Sequence, residues 1–175
     1  MEIKALSPGM SSSYLDAIAT LRVRVWSHQL KEKAFVENKW WDKHDLHAFH
    51  WIVLNENSEL VASARLSTHN TVVELPDFEE IKALLTELPS PIAMMSRLVV
   101  SPEYQRRGIA QKLDVARLQK ATQINAQSIV LQVPAYRRKA IKKLGFKCIG
   151  KAKEETFHGT SNIDFFLYAK VHSLD

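Results

Sequence analysis

The hydrophobic positions of the chain follow two periodicities, one typical of strands and one typical of helices. The apolar run Leu98–Val100 is short and β-branched, which predicts a buried strand that ends at Ser101-Pro102. Proline cannot donate to a strand ladder and restricts the residue before it. Farther along, Ile109, Leu113 and Ala116 lie at i, i+4 and i+7, the spacing of one helix face. The pattern therefore predicts a strand, a turn and a helix in succession.

The same two periodicities divide the rest of the chain into elements. Predicted strands cover residues 2–6, 48–54, 60–67, 92–100, 128–133, 146–151 and 163–171. Predicted helices run from residue 14 to about 30, from 77 to 88, from 109 to about 124 and from 136 to 144. A turn at residues 55–58 would join the strands at 48–54 and 60–67 into a hairpin, and a turn at Gly159 would join the last two strands. Gly145 would follow the last helix.

The order of these elements predicts the fold class. Strand–helix–strand units in the middle of the chain imply parallel pairing, whereas the terminal hairpins imply antiparallel pairing. A chain of 175 residues and 20.0 kDa is long enough to bury one full core. We therefore expect a single α/β domain over residues 1–175, with a central mixed sheet of six to seven strands flanked by helices.

Composition narrows the class of protein. The chain is 46% hydrophobic and 25% charged, which is ordinary for a soluble globular protein. We find no apolar run near the length of a membrane span and no signal-peptide pattern at the N-terminus. With Cys148 as the one cysteine, an internal disulfide is impossible, and its strand position predicts a small buried side chain. We expect a cytoplasmic protein with no membrane partner.

The formal net charge of +5 favours an anionic partner. Nucleic acid is the weaker candidate, because the chain lacks aromatic residues interleaved on a basic strand and lacks a recognisable helix-turn-helix. A phosphorylated small molecule is the stronger candidate, since basic residues partly cluster near the turn described next. We expect no nucleic-acid partner.

The turn between the predicted strand at 98–100 and the helix from 109 has the features of a phosphate site. A helix N-terminus offers free N–H groups and the positive end of the helix dipole to an anion. Gly108 would let the main chain approach that anion without a side chain in the way. Arg106 and Arg107 add positive charge, and Ala110 keeps the first helical turn open. The alternative is an ordinary strand–helix turn with two surface arginines.

Together with the preceding strand and Pro102-Glu103-Tyr104, the turn resembles the Arg/Gln-x-x-Gly-x-Gly/Ala signature of the GCN5-related N-acetyltransferases, the GNAT family. Leu144-Gly145-Phe146 is similar to a second element of that family. The resemblance implies the acetyltransferase fold over the whole chain, with acetyl-CoA as acyl donor, a small-molecule primary amine as acceptor and no metal. The residues that it implies for acetyl-CoA binding are Leu98, Val99, Val100, Gln105, Arg106, Arg107, Gly108, Ile109, Ala110 and Gln111.

The same resemblance implies the chemistry. The pantetheine arm would lie where the strand at 98–100 diverges from the strand at 129–133, and the N–H of Val99 or Val100 would stabilise the oxyanion. The tyrosine that protonates the thiolate in many relatives corresponds here to Ile141, so Tyr136 is the candidate acid. His50 and Glu103 are candidate bases, with a water relay as the alternative.

Arg65 and Arg97 each lie in a strand otherwise built of apolar and small residues. Both are predicted to bind the acceptor, because paired guanidinium groups hold a carboxylate or phosphate by forked hydrogen bonds. The alternative is a structural ion pair with a buried acid such as Glu74 or Asp164.

Three histidines and two tryptophans in the segment from 40 to 50 invite a metal or ligand site. His44, His47 and His50 recur every three residues, but neither a helix nor a strand would bring three such side chains to one point, so we expect no metal. Trp40 and Trp41 are expected to cap the core, with a groove lining as the alternative.

Two other functions stay open. Isoleucine at 141 and proline at 134, where relatives often carry tyrosine and asparagine, suggest a module that binds CoA but has lost catalysis. The N-terminal half, with Ser96-Arg97, is similar to acyl-homoserine-lactone synthases, although Met94 and Met95 stand where that group has an acid. A homodimer is a possible assembly, because dimers are common among such enzymes.

Overall fold

The computed structural model describes residues 1–9, 12–30, 38–85, 87–152 and 164–171. The turn predicted at Gly159 and the first residue of the last predicted strand lie outside these residues.

The elements follow the predicted order. The strands are β1 (Glu2–Leu6), β2 (Phe49–Leu54), β3 (Leu60–His69), β4 (Ile92–Val100), β5 (Ser128–Pro134), β6 (Lys147–Lys151) and β7 (Phe165–Val171). The α-helices are α1 (Ser12–Leu30), α2 (Phe78–Ile81), α3 (Ile109–Gln123) and α4 (Arg138–Lys143). Short 3-10 helices cover Lys43–His47, Val72–Glu74, Pro102–Tyr104 and Ala135–Arg137.

The strands form a seven-stranded sheet in the order β1-β2-β3-β4-β5-β7-β6. β1, β2 and β3 pair antiparallel, as do β5 with β7 and β7 with β6. The pair β4–β5 is parallel, in register from Ile92–Ser128 to Met95–Leu131, while β4 continues to Val100 and β5 to Pro134. The prediction of a mixed α/β sheet with parallel pairing in the middle is confirmed.

The chain divides into two compact units. The first comprises residues 1–67 and 96–117, and the second comprises residues 68–95 and 118–175. A core cluster of the first unit is built from Leu6, Ile18, Ile52 and Leu54, with Tyr14 and Leu60 packed against it. The single domain over residues 1–175 stays a prediction. Among the described residues, no helix combines the length and apolar character that a bilayer crossing requires.

The second unit corrects the prediction of a helix over residues 77–88. Helix α2 covers only Phe78–Ile81, and the Leu84 N–H then donates to the Ile81 carbonyl over 2.8 Å in a turn. Ile81 and Leu85 are buried in the core cluster of this unit, and Leu84 and Leu88 pack against it. The apolar spacing therefore reflects packing of an irregular segment rather than a continuous helix.

Cys148 is exposed, which corrects the prediction of a buried side chain. It lies on β6, the last strand in the sheet order, and four of the five residues of β6 are exposed. The side chains of an edge strand are covered less, because the strand has a neighbour on one side only. A position in a predicted strand was therefore not enough to predict burial of Cys148.

Candidate active site

Local hydrogen bonds fix the turn at the end of β4. The Ser101 N–H donates to the Val61 carbonyl over 2.8 Å, and the Tyr104 N–H donates to the Ser101 carbonyl over 2.9 Å. The side-chain amide of Gln105 donates to the Val100 carbonyl over 3.1 Å. These contacts join the predicted turn directly to the strand end that precedes it.

The main chain of the turn is open to an anion. Arg106 and Gly108 have positive φ angles of 61° and 76°, so the chain changes direction sharply just before α3. A Cβ atom added at Gly108 would meet nothing within 4 Å. The first N–H to bond back into the helix is that of Lys112, which donates to the Gly108 carbonyl over 3.1 Å. Within the part of the chain that the structure describes, the N–H groups of residues 109–111 have no backbone acceptor.

Arginine side chains of the turn add positive charge, and contacts within the turn fix the position of Arg107. The Arg107 guanidinium lies 5.0 Å from the centre of the Tyr104 ring and donates to the Glu103 carbonyl over 3.0 Å. Arg106 is exposed, while Ile109 is buried and anchors the first turn of α3. The structure therefore places Gln105–Gln111 at the N-terminus of α3, where an anion is favoured, whereas Leu98, Val99 and Val100, also predicted for acetyl-CoA, lie at the end of β4.

A second feature of the first unit was not predicted: a buried cluster of arginines and aspartates. Asp45 accepts two hydrogen bonds from the Arg22 guanidinium, each 2.9 Å long, and lies 3.1 Å from Arg65 Nη1. Asp42 accepts from Arg65 over 2.7 Å and from Arg97 over 3.0 Å. We refer to Arg22, Arg65, Arg97, Asp42 and Asp45 as the arginine–aspartate cluster.

The two aspartates are held by the 3-10 helix Lys43–His47. The Asp42 carboxylate caps that helix by accepting the His44 N–H over 2.9 Å, and the Asp45 carboxylate accepts the Asp42 N–H over 2.9 Å. Such a reciprocal cap fixes both carboxylates relative to the main chain. Sequence periodicity gave no sign of this cluster, since the capping segment is neither a long helix nor a strand.

Electrostatics keep Asp42, Asp45 and Arg22 ionised at neutral pH. Burial would raise the pKa of Asp42, but the guanidinium groups of Arg65 and Arg97 outweigh it and lower this pKa to about 2. Burial also opposes ionisation of Asp45, yet Arg22 and Arg65 hold its pKa below the usual range. For Arg22, burial lowers the pKa to about 10 in spite of the neighbouring Asp45 carboxylate.

The predicted acceptor residues Arg65 and Arg97 both belong to this cluster. Arg65 is fully buried and also donates from Nε to the Ser96 hydroxyl over 3.0 Å. Arg65 does form structural ion pairs, but with Asp42 and Asp45 rather than with Glu74 or Asp164, the acids named from the sequence. Glu74 instead accepts the Asn70 N–H, and Asp164 pairs with Lys151. Arg97 is nearer the surface, with 8% of its side chain exposed.

Trp40 and Trp41 differ in how far they are buried. The guanidinium carbon of Arg97 lies 4.3 Å from the centre of a Trp40 ring, and Trp40 is half-buried. Trp41 is 54% exposed, so the prediction that both rings cap the core is wrong for Trp41. The pairing of an arginine with an indole face is a favourable cation–π contact.

His50, the predicted base, is buried beside the cluster. Its Nε2 lies 2.9 Å from the main-chain oxygen of Asp45, and its Nδ1 is buried without a hydrogen-bond partner among the described residues. Burial lowers the pKa of His50, so the ring is neutral at pH 7. Over the described part of the chain, no three His, Cys, Asp or Glu side chains are grouped as a metal ion would require.

Tyr136, the predicted acid, lies in the second unit on the 3-10 helix Ala135–Arg137 and is 67% exposed. Ile141, at the position where many relatives carry the tyrosine, is fully buried. The catalytic roles of Tyr136 and His50 stay predictions.

Sequence reasoning also missed Arg117 and Asp114 on α3. Arg117 is 1% exposed, and its Nη2 donates to the Asp114 carboxylate over 2.6 Å. Its Nη1 donates to the main-chain oxygens of Arg65 and Ser96, over 3.3 and 3.2 Å. The spacing Asp-x-x-Arg on an otherwise apolar helix face was the signal that could have found this pair.

Comparison with known proteins gives a family match and a set of similar folds. The model of a family described as "Acetyltransferase (GNAT) family" matches residues 15–146. No curated protein matches the chain significantly.

Solved structures that resemble this one cover almost all of the chain. ElaA of Escherichia coli is 21% identical, with a TM-score of 0.68, and the alignment covers 97% of this chain and 98% of that one. An acyl-CoA N-acyltransferase from Pseudomonas aeruginosa is 17% identical, with a TM-score of 0.67 and coverage of 97% and 99%. The CoA-dependent acyl-homoserine lactone synthase BjaI, solved with SAM and isopentyl-CoA, is 16% identical, with a TM-score of 0.72 and coverage of 95% and 81%. These likenesses confirm the predicted fold.

Proposed function

Because the chain belongs to the acetyltransferase (GNAT) family, we propose that it is an N-acetyltransferase that moves an acetyl group from acetyl-CoA to the primary amine of a small molecule. Acyl-CoA-dependent acyl transfer is the chemistry of the family, whereas the acetyl group, the amine acceptor and a cytoplasmic location are parts of the proposal. The observation that carries it is the open turn of residues 105–111 at the start of α3.

The residues of this turn fit the diphosphate of CoA. Positive φ angles at Arg106 and Gly108 turn the main chain, and the space beside Gly108 is free of protein atoms out to 4 Å from an added Cβ. The N–H groups of residues 109–111 offer donors, and the dipole of the 15-residue helix α3 adds partial positive charge. Bound there, the donor supplies the acyl group as an activated thioester.

The transfer forms a bond from the amine nitrogen to the acyl carbon and breaks the bond from that carbon to sulfur. One proton leaves the nitrogen and one is taken up by the sulfur. We assign the main-chain N–H groups of Val99 and Val100 to the acyl oxygen, Tyr136 to proton donation and His50 to proton acceptance. The neutral state of His50 suits a base, and its burial implies that a water relays the proton.

For the acceptor we assign Arg97 to an anionic group, with Arg65 as its support. Arg97 lies nearer the surface and stacks on Trp40, while Arg65 is fully buried and shares Asp42 with it. A conservative Arg97→Lys change removes the planar fork and should raise the KM for an anionic amine more than the KM for a neutral one.

The experiment that tests the proposal compares Gly108→Val with Gly9→Val by calorimetry with CoA. Both glycines have positive φ angles, 76° and 82°, and an added Cβ meets nothing within 4 Å at either, so the two variants carry similar backbone strain. We expect CoA binding at least about tenfold weaker in Gly108→Val and unchanged in Gly9→Val. Equal affinity in both variants and the wild type would refute the assignment of the turn.

A CoA-binding module without catalysis is the second candidate, favoured by the buried Ile141 at the usual tyrosine position. A thiol-release assay over a panel of amines separates the two, because the module would bind CoA and release no thiol with any acceptor. Acyl-homoserine-lactone synthesis is a third candidate. Met94 and Met95, each 1% exposed, give it no carboxylate at the position where that group carries an acid.

A further inference from the structure

We infer that Arg117 is a positioning residue, which holds β4 in its bent conformation at Arg97 and so fixes the main chain of residues 98–100. Its guanidinium is oriented by Asp114, and its targets are main-chain oxygens on two neighbouring strands. The catalytic consequence rests on the proposed function, because that function assigns the N–H groups of Val99 and Val100 to the acyl oxygen.

The conformation of β4 is unusual at Arg97. This residue has a φ of 52°, a left-handed value that costs energy for any side chain with a Cβ and that persists only where the surroundings enforce it. Such a residue interrupts the alternation of a strand and redirects the residues that follow it. The orientation of residues 98–100 therefore depends on whatever maintains the bend.

The contacts of Arg117 meet at this bend. Nη1 reaches the carbonyl oxygen of Ser96, the residue immediately before the bend, over 3.2 Å, and the carbonyl oxygen of Arg65 on β3 over 3.3 Å. The side chain of Arg65 in turn donates from Nε to the Ser96 hydroxyl over 3.0 Å. Two strands are thus tied together at one point, through the main chain by Arg117 and through a side chain by Arg65.

The rest of the guanidinium is used to hold its own position. Nε donates to the Leu113 carbonyl over 3.3 Å, and Nη2 pairs with Asp114 over 2.6 Å, so each of the three nitrogens has a partner on α3 or on the strands. Lysine has one ammonium on a flexible stem and cannot reproduce this planar set of donors. Because α3 also carries the turn at 105–111 at its N-terminus, the same helix would position the donor site and the bend.

The first test is a thermal comparison that needs no activity. Arg117→Lys is introduced into Arg97→Ala and Arg97→Gly, two backgrounds that both lack the Arg97 side chain. Alanine retains the strain of a φ of 52°, whereas glycine adopts that angle freely. If Arg117 holds the bend, the melting temperature falls by less in the alanine background than in the glycine background, because alanine then leaves the strained angle and recovers its cost, whereas glycine has no strain to recover. Equal falls would overturn the inference.

The second test is kinetic and uses Arg117→Lys in the otherwise wild-type chain, with folding verified by circular dichroism. We expect CoA affinity within about threefold of wild type and kcat at least about tenfold lower, because residues 98–100 shift while the turn remains. A lower melting temperature with unchanged kcat would reduce Arg117 to a structural role and overturn the catalytic part. If the wild type itself turns over no amine, the proposed function fails, while the thermal comparison still decides whether Arg117 holds the bend.

Discussion

Removing one charge from the arginine–aspartate cluster tests whether its ion pairs support the fold. Asp45 is fully buried, accepts two 2.9 Å hydrogen bonds from Arg22 and lies 3.1 Å from Arg65. Asp45→Asn keeps the shape of the side chain and removes its negative charge. The Arg22 guanidinium, also fully buried, would then lose its carboxylate partner while remaining in the interior.

The expected destabilisation follows from that burial. Breaking a buried ion pair by removing one partner costs about 3–5 kcal/mol, because an uncompensated charge remains inside. For a protein of this size each kcal/mol shifts the melting temperature by about 2–4 °C, so we expect a fall of about 6–20 °C. The double change Arg22→Met with Asp45→Asn should be less destabilising than the two single changes added together.

Urea unfolding followed by circular dichroism measures this effect, and the chain offers a matched control. Asp16 pairs with Lys39 over 2.9 Å, but its side chain is 78% exposed. Asp16→Asn makes the same chemical change in solvent and should cost about 1 kcal/mol or less. If Asp45→Asn and Asp16→Asn lower the unfolding free energy equally, the reasoning from burial is refuted.

Three further predictions use other parts of the molecule. The pKa of Asp42 is lowered to about 2, so its contribution to the unfolding free energy is complete above the unfolded value of about 3.9 and is lost as the pH falls from about 4 to 2. A urea titration at each pH measures that slope, which Asp42→Asn should flatten. Tyr136→Phe should lower kcat at least about tenfold with unchanged CoA affinity, as a steady-state assay with calorimetry would record. Because Cys148 is exposed, Cys148→Ser should leave the unfolding free energy within about 0.5 kcal/mol of wild type.

Each of these has a contrary result. A slope between pH 4 and 2 that is as steep in Asp42→Asn as in the wild type would assign the acid sensitivity to other carboxyl groups, Asp45 among them. Unchanged kcat in Tyr136→Phe would remove Tyr136 from the proposed mechanism. A loss of several kcal/mol in Cys148→Ser would mean that the thiol packs inside the fold.

The sequence predicted well what depends on neighbouring residues. The turn at Gln105–Gln111 is predictable because an apolar run that ends at a proline, a glycine and a helical period follow one another in the chain. The strand and helix around that turn, β4 and α3, have nearly the predicted bounds. Local backbone preference and periodicity carry this information without reference to the rest of the fold.

Long-range charge pairing was beyond such reasoning. Arg22 and Asp45 are 23 residues apart, and Asp42 and Arg97 are 55 apart. A buried arginine in a strand indicates that an acidic partner is needed. Which acid fills that role depends on how three elements pack, and the acids named from the sequence, Glu74 and Asp164, were the wrong ones. The helix predicted over residues 77–88 was too long for a related reason. Buried apolar residues in an irregular segment can show the same sequence spacing as one face of a helix.

The exposed thiol of Cys148 has a practical consequence for measuring assembly. An exposed cysteine on an edge strand can be oxidised to a disulfide with a second molecule, and the resulting covalent pair would have the mass of a homodimer. Ultracentrifugation of Cys148→Ser, or of the wild type in fresh reductant, therefore measures native association. A stock exposed to air would also contain dimers formed by oxidation during storage.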